Sequence, residues 1–139
     1  MGHVVNKADI EVAVGTEPFT VAEIYSKFIE KESVATGTVV MHHGSVKYPG
    51  KVLSDFRVVS LDALVDDVCE GLRTIAVDAA WHFILHRIII LHRLGLVERG
   101  GDVLLVICSA ATRRDAFDAC SWIVDEIKKE QLITLRELP

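Results

Sequence analysis

"VLLVICSAATRRDAFDAC", residues 103–120, decides the fold. Its first seven residues are an apolar run closed by Ser109, the pattern of a central strand covered on both faces. Thr112 then stands as a helix N-cap with Asp115 three residues on, so a strand, a short turn and a helix follow one another. Phe117, Cys120, Val124 and Ile127 are expected to form the buried stripe of that helix. Arg113 and Arg114 occupy its first turn, where the helix macrodipole disfavours cations. Free backbone N–H groups at the same place favour an anion. The pair therefore points to a negative ligand, against the plainer reading of two solvated charges.

Outward from this block, "DIEVAV" (9–14) alternates as a half-buried strand does. "EPFTVAEIYSKFIEKE" (17–32) predicts a helix with Thr20 as N-cap and Glu23 completing a capping box. "TGTVVMHHGSV" (36–46) predicts a strand, and "KYPGK" (47–51) a turn on Pro49-Gly50. "VLSDFRVVSL" (52–61) would be the returning strand of that hairpin. From Asp62 to about Phe83 the pattern is helical, with Leu64, Val68, Leu72, Ile75 and Ala79 on one stripe. "HRIIILHRLG" (86–95) predicts a strand into a turn, "ERGGD" (98–102) a second turn, and "LITLREL" (132–138) a last short strand. The order β-α-β-β-α-β-β-α-β implies one α+β domain over residues 1–139, with helices packed on a mixed or mostly antiparallel sheet.

The bulk composition excludes several classes. A net charge of −5 argues against a general nucleic-acid binder while leaving room for a local basic pocket. The densest apolar run, "FILHRIIILHRLGLV" (83–97), is broken by His and Arg and falls short of the roughly 18–20 residues of a membrane span. "MGHVVNKADIEV" (1–12) lacks the apolar core of a signal peptide, and Asn6 stands where a myristoylation pattern needs Ser or Thr. Cys69, Cys108 and Cys120 lie far apart in apolar stretches, so they are expected to be buried free thiols in a reducing cytoplasm.

His42-His43, His82, His86 and His92 invite a metal reading, but no Cys or carboxylate stands at a ligand spacing beside them, and no metal site is expected. No Gly-rich phosphate loop or nucleophile elbow is present. The basic residues remain: Lys47 at a strand end, Arg113 and Arg114 at a helix start, Lys128 and Lys129 near its end. Arg113 and Lys128 are fifteen residues apart, roughly 22 Å along a helix rising 1.5 Å per residue. One chain cannot easily bring both to a small ligand. Two chains can.

"LHRLGLVERGGDVLLVICSAATRRDAFDACSWIVDEIKKE" (91–130), with "VGTEPFTVAEIY" (14–25) and "TGTVVMHHGSVK" (36–47), resembles the catalytic (large) subunit of molybdopterin synthase. That family reads His-Arg-x-Gly, a Gly-acid turn, an apolar strand, then a His-Arg pair opening a helix with Ala-Phe-acid-Ala. The resemblance implies a homodimeric α+β protein paired with a ubiquitin-like small subunit. Sulfur would pass from the small subunit's C-terminal thiocarboxylate to a cyclic pyranopterin monophosphate, with no cofactor of the large subunit's own. It further implies Lys128 as the catalytic residue, and Arg113, Arg114 and Lys47 as substrate-binding residues.

Departures from the family pattern define an alternative. The family's His-Arg pair is here Thr112-Arg113, its strand-end arginine is Lys47, and its second C-terminal lysine aligns with Leu135. A family member without the chemistry, acting as a binding or regulatory partner, would show such losses. Arg136 and Lys129 are the neighbours able to substitute for the missing lysine.

Overall fold

The computed structural model describes residues 8–139, so the targeting signals sought in the first residues, including position 6, lie outside it. In chain order the elements are β1 (Asp9–Gly15), α1 (Val21–Glu30), β2 (Thr38–Ser45), β3 (Val58–Ala63), α2 (Val68–His82), β4 (Arg87–Arg93), β5 (Gly95–Glu98), β6 (Asp102–Ala110), α3 (Arg113–Ile127) and β7 (Ile133–Leu138). This is the expected α+β class, but the strands divide into two sheets. A mixed sheet runs β1-β4-β6-β2, with β1 parallel to β4 and the other pairs antiparallel. A smaller antiparallel sheet runs β5-β3-β7.

The apolar runs of β4 and β6 are continuous because both faces of the mixed sheet are covered. Ile88, Ile90, Leu104, Val106 and Cys108 face one way, into the cluster built with Leu72, Ala76, Ala119 and Ile123 of α2 and α3. Ile89, Leu105 and Ile107 face the other way, against Phe28 of α1. β1 is an edge strand, and its alternation follows: Ile10, Val12 and Val14 pack on the first cluster while Asp9, Glu11 and Ala13 are exposed.

Four expectations are corrected. Residues 52–61 do not return as a hairpin: β2 pairs with β6, and β3 belongs to the other sheet. α2 begins at Val68, after β3 has run on to Ala63, so Leu64 lies off the helix and is 52% exposed. The signal for the true start was a second capping pattern, in which Asp67 accepts the Glu70 N–H at 3.0 Å. "GLVE" (95–98), which spans the gap between the turns expected at Gly95 and from Glu98, is strand β5. Thr20 stands at the N-cap of α1, but its side chain makes no cap hydrogen bond.

Candidate functional site

The turn after β6 is closed by Thr112. Its hydroxyl accepts the Asp115 N–H at 3.3 Å and donates to the Asp115 carboxylate at 3.1 Å, the cap expected from sequence. α3 then lies back along β6 and buries Ala116, Ala119, Cys120, Ile123, Val124 and Ile127. Small residues at 116 and 119 bring the helix close to the sheet. Phe117 was expected in this stripe but is 58% exposed, one residue out of phase with it. It lines an open hollow of about 590 Å³ together with Thr112, Arg113, Arg114 and Asp118. Two guanidinium groups, the first turn's free N–H groups and a flat aromatic wall thus share one surface. That combination suits a planar ligand carrying a phosphate.

The same geometry separates the other basic residues from this hollow. β6 ends at Ala110 opposite Thr38 and begins at Asp102 opposite Ser45. α3 retraces β6, so Arg113 and Arg114 stand at one end of the sheet. Lys128, the C-cap of α3, stands at the other end with Lys47, two residues beyond β2. The structure brings Lys47 and Lys128 to a common end and does not bring them to Arg113 and Arg114. All four are exposed. Among the described residues, none of the four hydrogen bonds or ion pairs with another side chain. By contrast, Arg136 is tied to Asp62 at 3.2 Å and Lys129 to Glu126 at 2.7 Å, so the two neighbours considered as replacements are engaged elsewhere. Leu135 puts an apolar, 40% exposed side chain on β7, and its N–H donates to the Glu130 carboxylate at 2.7 Å.

His42 escapes a reading by motif, although the period-2 alternation of β2 could have found it. Val40 packs on the α2–α3 side and Val39 on the α1 side, so His42 faces α3. Burial, Lys128 and then His43 hold its imidazole below the ordinary histidine pKa. His43 points the other way and hydrogen bonds Asp102 at 2.6 Å. Burial pushes the Asp102 carboxyl up, but that bond and the Phe19 N–H at 2.7 Å outweigh it and leave the group below the ordinary aspartate value.

The remaining histidines have separate duties. His82 donates to the Asp78 carbonyl, His86 meets Thr36, and buried His92 donates to the Arg93 carbonyl. Among the described residues no three His, Cys, Asp or Glu side chains gather as a metal site would need. His92-Arg93-Leu94-Gly95 instead builds the β4–β5 corner. Arg93 is buried and donates to the Thr16 carbonyl at 2.9 Å, and Gly95 takes φ +92°, which a side chain would strain. No helix among the described residues is long and apolar enough to cross a membrane.

Known proteins carry the same architecture. Over 134 residues the chain is 31% identical to a protein of Pyrococcus abyssi described as molybdopterin synthase catalytic subunit, covering 95% of this chain and 86% of that one. The structure of molybdopterin synthase from Staphylococcus aureus shares the fold with a TM-score of 0.74 at 23% identity, over 90% of this chain and 88% of that one. More distantly, the Helicobacter pylori complex of subunits 1 and 2 of molybdopterin-converting factor matches with a TM-score of 0.59 at 15% identity, over 87% and 75%. The model of the MoaE protein family matches residues 14–130, a span that holds Lys47, Arg113, Arg114 and Lys128, and the chain belongs to that family.

Proposed function

We propose that this chain is the catalytic large subunit of a molybdopterin synthase. It takes sulfur from the C-terminal thiocarboxylate of a ubiquitin-like small subunit and delivers it to cyclic pyranopterin monophosphate, in the making of the molybdenum cofactor. The observation that carries this reading is the near full-length match to a catalytic subunit, over 95% of this chain. In the proposed site Arg113 and Arg114 grip the phosphate by paired N–H groups, at a helix end that already favours an anion. Phe117 backs the pterin ring. Lys128 supplies positive charge where negative charge develops on the acyl carbon's oxygen, and Lys47 closes that end.

Since Arg113 and Lys128 stand at opposite ends of α3, the complete site needs two copies, with the arginine end of one chain beside the lysine end of another. We therefore read the protein as a homodimer of one-domain chains (1–139), working in the cytoplasm without a cofactor of its own.

A second reading has its own support. Thr112 serves as a helix cap where the family pattern has histidine, and Leu135 presents no charge. In this reading the chain is a family member that keeps its partner and has lost the chemistry. A single-turnover assay with the thiocarboxylated small subunit and the cyclic pyranopterin separates the two. Dithiolene product supports the first. No product, with the small subunit still retained in a pull-down, supports the second. A test of the phosphate grip accompanies it: Arg113→Ala should weaken binding of the pterin phosphate at least tenfold, as loss of a charge-assisted pair worth about 1.5–3 kcal/mol requires. Unchanged affinity in a calorimetric titration would remove Arg113 from the site.

A further inference from the structure

We propose that His42 is a further acid–base residue of this site, placed with Lys128 over Gly44 to serve the hydrolytic half of sulfur transfer. The inference rests on the sulfur-transfer reading above. Moving sulfur from an acyl group to a pterin carbon makes a thioester, whose acyl–sulfur bond must then break. Water adds to the acyl carbon, a C–O bond forms, the C–S bond breaks, and the electron pair leaves with sulfur. His42 takes a proton from that water and returns one to the sulfur. The products are a carboxylic acid and a pterin thiol, with no change in oxidation state.

Three observations place His42 there. First, the strand and the helix deliver the two side chains to one spot. The Cys120 thiol donates to the carbonyl of Val106, the β6 partner of His42, at 3.9 Å, which sets that level of the β2–β6 pair against α3. Cys120, Val124 and Lys128 follow at four-residue intervals on one face of α3, an advance of about 12 Å at 1.5 Å per residue. β2 runs the same way, and the four residues from His42 to Val46 advance about 13 Å. Lys128 thus leaves the helix level with the strand end, and helical side chains lean back toward the N-terminus, over Gly44.

Second, the His42 ring leans forward to meet it. Its Nε2 lies 3.0 Å from where a Cβ on Gly44 would sit, so the glycine leaves the imidazole its room. Third, the ring is uncommitted. His43, His82, His86 and His92 each engage a ring nitrogen, whereas among the described residues His42 has no hydrogen-bond partner on either one.

The groups around the ring favour the neutral base. Lys128 and Cys120 face it from α3, Leu104 and Val106 from β6 with Cys108 one pair further along, His43 is its neighbour on β2, and Lys47 stands beyond the strand end. Burial and the Lys128 charge both disfavour imidazolium, leaving a base available at neutral pH.

The test is the pH dependence of single-turnover sulfur transfer, from about pH 5 to about pH 9. Wild type should show an acid limb below the ordinary histidine pKa. His42→Asn should slow product formation at least tenfold and abolish that limb, while retaining the small subunit. Product from His42→Asn at the wild-type rate, with the limb intact, overturns this inference alone. No product from wild type at any pH overturns the sulfur-transfer reading and this inference with it. Nitrogen NMR of the His42 ring in the folded protein supplies an arm independent of turnover and of the variant's folding: Lys128→Met should raise its pKa, and an unmoved titration overturns the pairing.

Discussion

The Glu137 carboxylate of β7 accepts the Leu53 N–H at 2.6 Å, joining residues 84 apart in the chain. It also accepts the N–H groups of Lys51 and Val52, at 2.6 and 2.9 Å, and lies 2.5 Å from where a Cβ on Gly50 would sit. One carboxylate thereby ties the segment after Lys47 to the smaller sheet. The Leu53 N–H, followed by those of Lys51 and Val52, outweighs burial and holds the Glu137 carboxyl below the ordinary glutamate value. A depressed folded-state pKa means the tie is complete above the ordinary value of about 4.3 and is lost as pH falls through the depressed one. Glu137→Ala should speed hydrogen exchange of the amides at 51–53 at least tenfold at neutral pH. Unchanged protection would mean that the segment is held by something else.

Thr112 closes the turn between β6 and α3. Its hydroxyl caps α3 and so fixes the direction in which Arg113 and Arg114 leave the helix. Thr112→Ala should cost about 1 kcal/mol, and Thr112→Ser close to nothing. Urea unfolding at neutral pH measures both. Equal stability for all three proteins would show that the cap contributes no net stabilisation.

Much of this was legible in the sequence, and what was not has physical causes. The block 103–120 was clear because burial on both faces, a capped turn and a helical stripe agree over eighteen residues. The partner of β2 was not, since Pro49-Gly50 signals a turn without saying which strand returns beside it, and pairing is settled by long-range packing. Phe117 misled because an aromatic residue in a helix counts as core by default, while the real stripe was set by Ala116 and Ala119. The site's cations were legible one by one. Their division between two ends of the sheet followed from helix length alone, but His42 needed the facing of an edge strand, which depends on what covers each side.

Arg87 links β4 to α1. Its guanidinium hydrogen bonds the Phe28 carbonyl, meets Glu32 at 2.9 Å and lies 3.9 Å from the Phe28 ring centroid. The two charged side chains are only 16% and 10% exposed. Removing one partner leaves a charge poorly solvated, so Glu32→Ala should destabilise by about 3 kcal/mol. Replacing both, as Glu32→Leu with Arg87→Met, should cost clearly less, because no unpaired charge remains. Thermal melts of the single and double variants decide the matter. A double variant as unstable as the single would show that the interaction with Phe28, and not the ion pair, holds α1 in place.

The thiols should separate by reactivity. Cys69 is half-buried near the start of α2, while Cys108 of β6 and Cys120 of α3 are buried against each other. The hydrogen bond to Cys120, and then burial, push the Cys108 thiol well above its ordinary range, which starves it of thiolate. The same bond holds the Cys120 thiol below its ordinary range, so burial rather than want of thiolate shields that residue from an aromatic disulfide reagent, and the native protein should release one equivalent of chromophore promptly, from Cys69. The other two should follow only at the rate of opening between α3 and β6, and all three should react at once in denaturant. Because the Cys120 thiol also donates to the carbonyl of Val106, the β6 partner of His42, Cys120→Val removes a contact that sets the β2–β6 pair against α3. That variant should loosen β2, seen as faster exchange of the amides at 40–44, while Cys69→Ser should leave them unchanged. Prompt labelling of all three thiols in the native protein would show that α3 is not packed on the sheet as described.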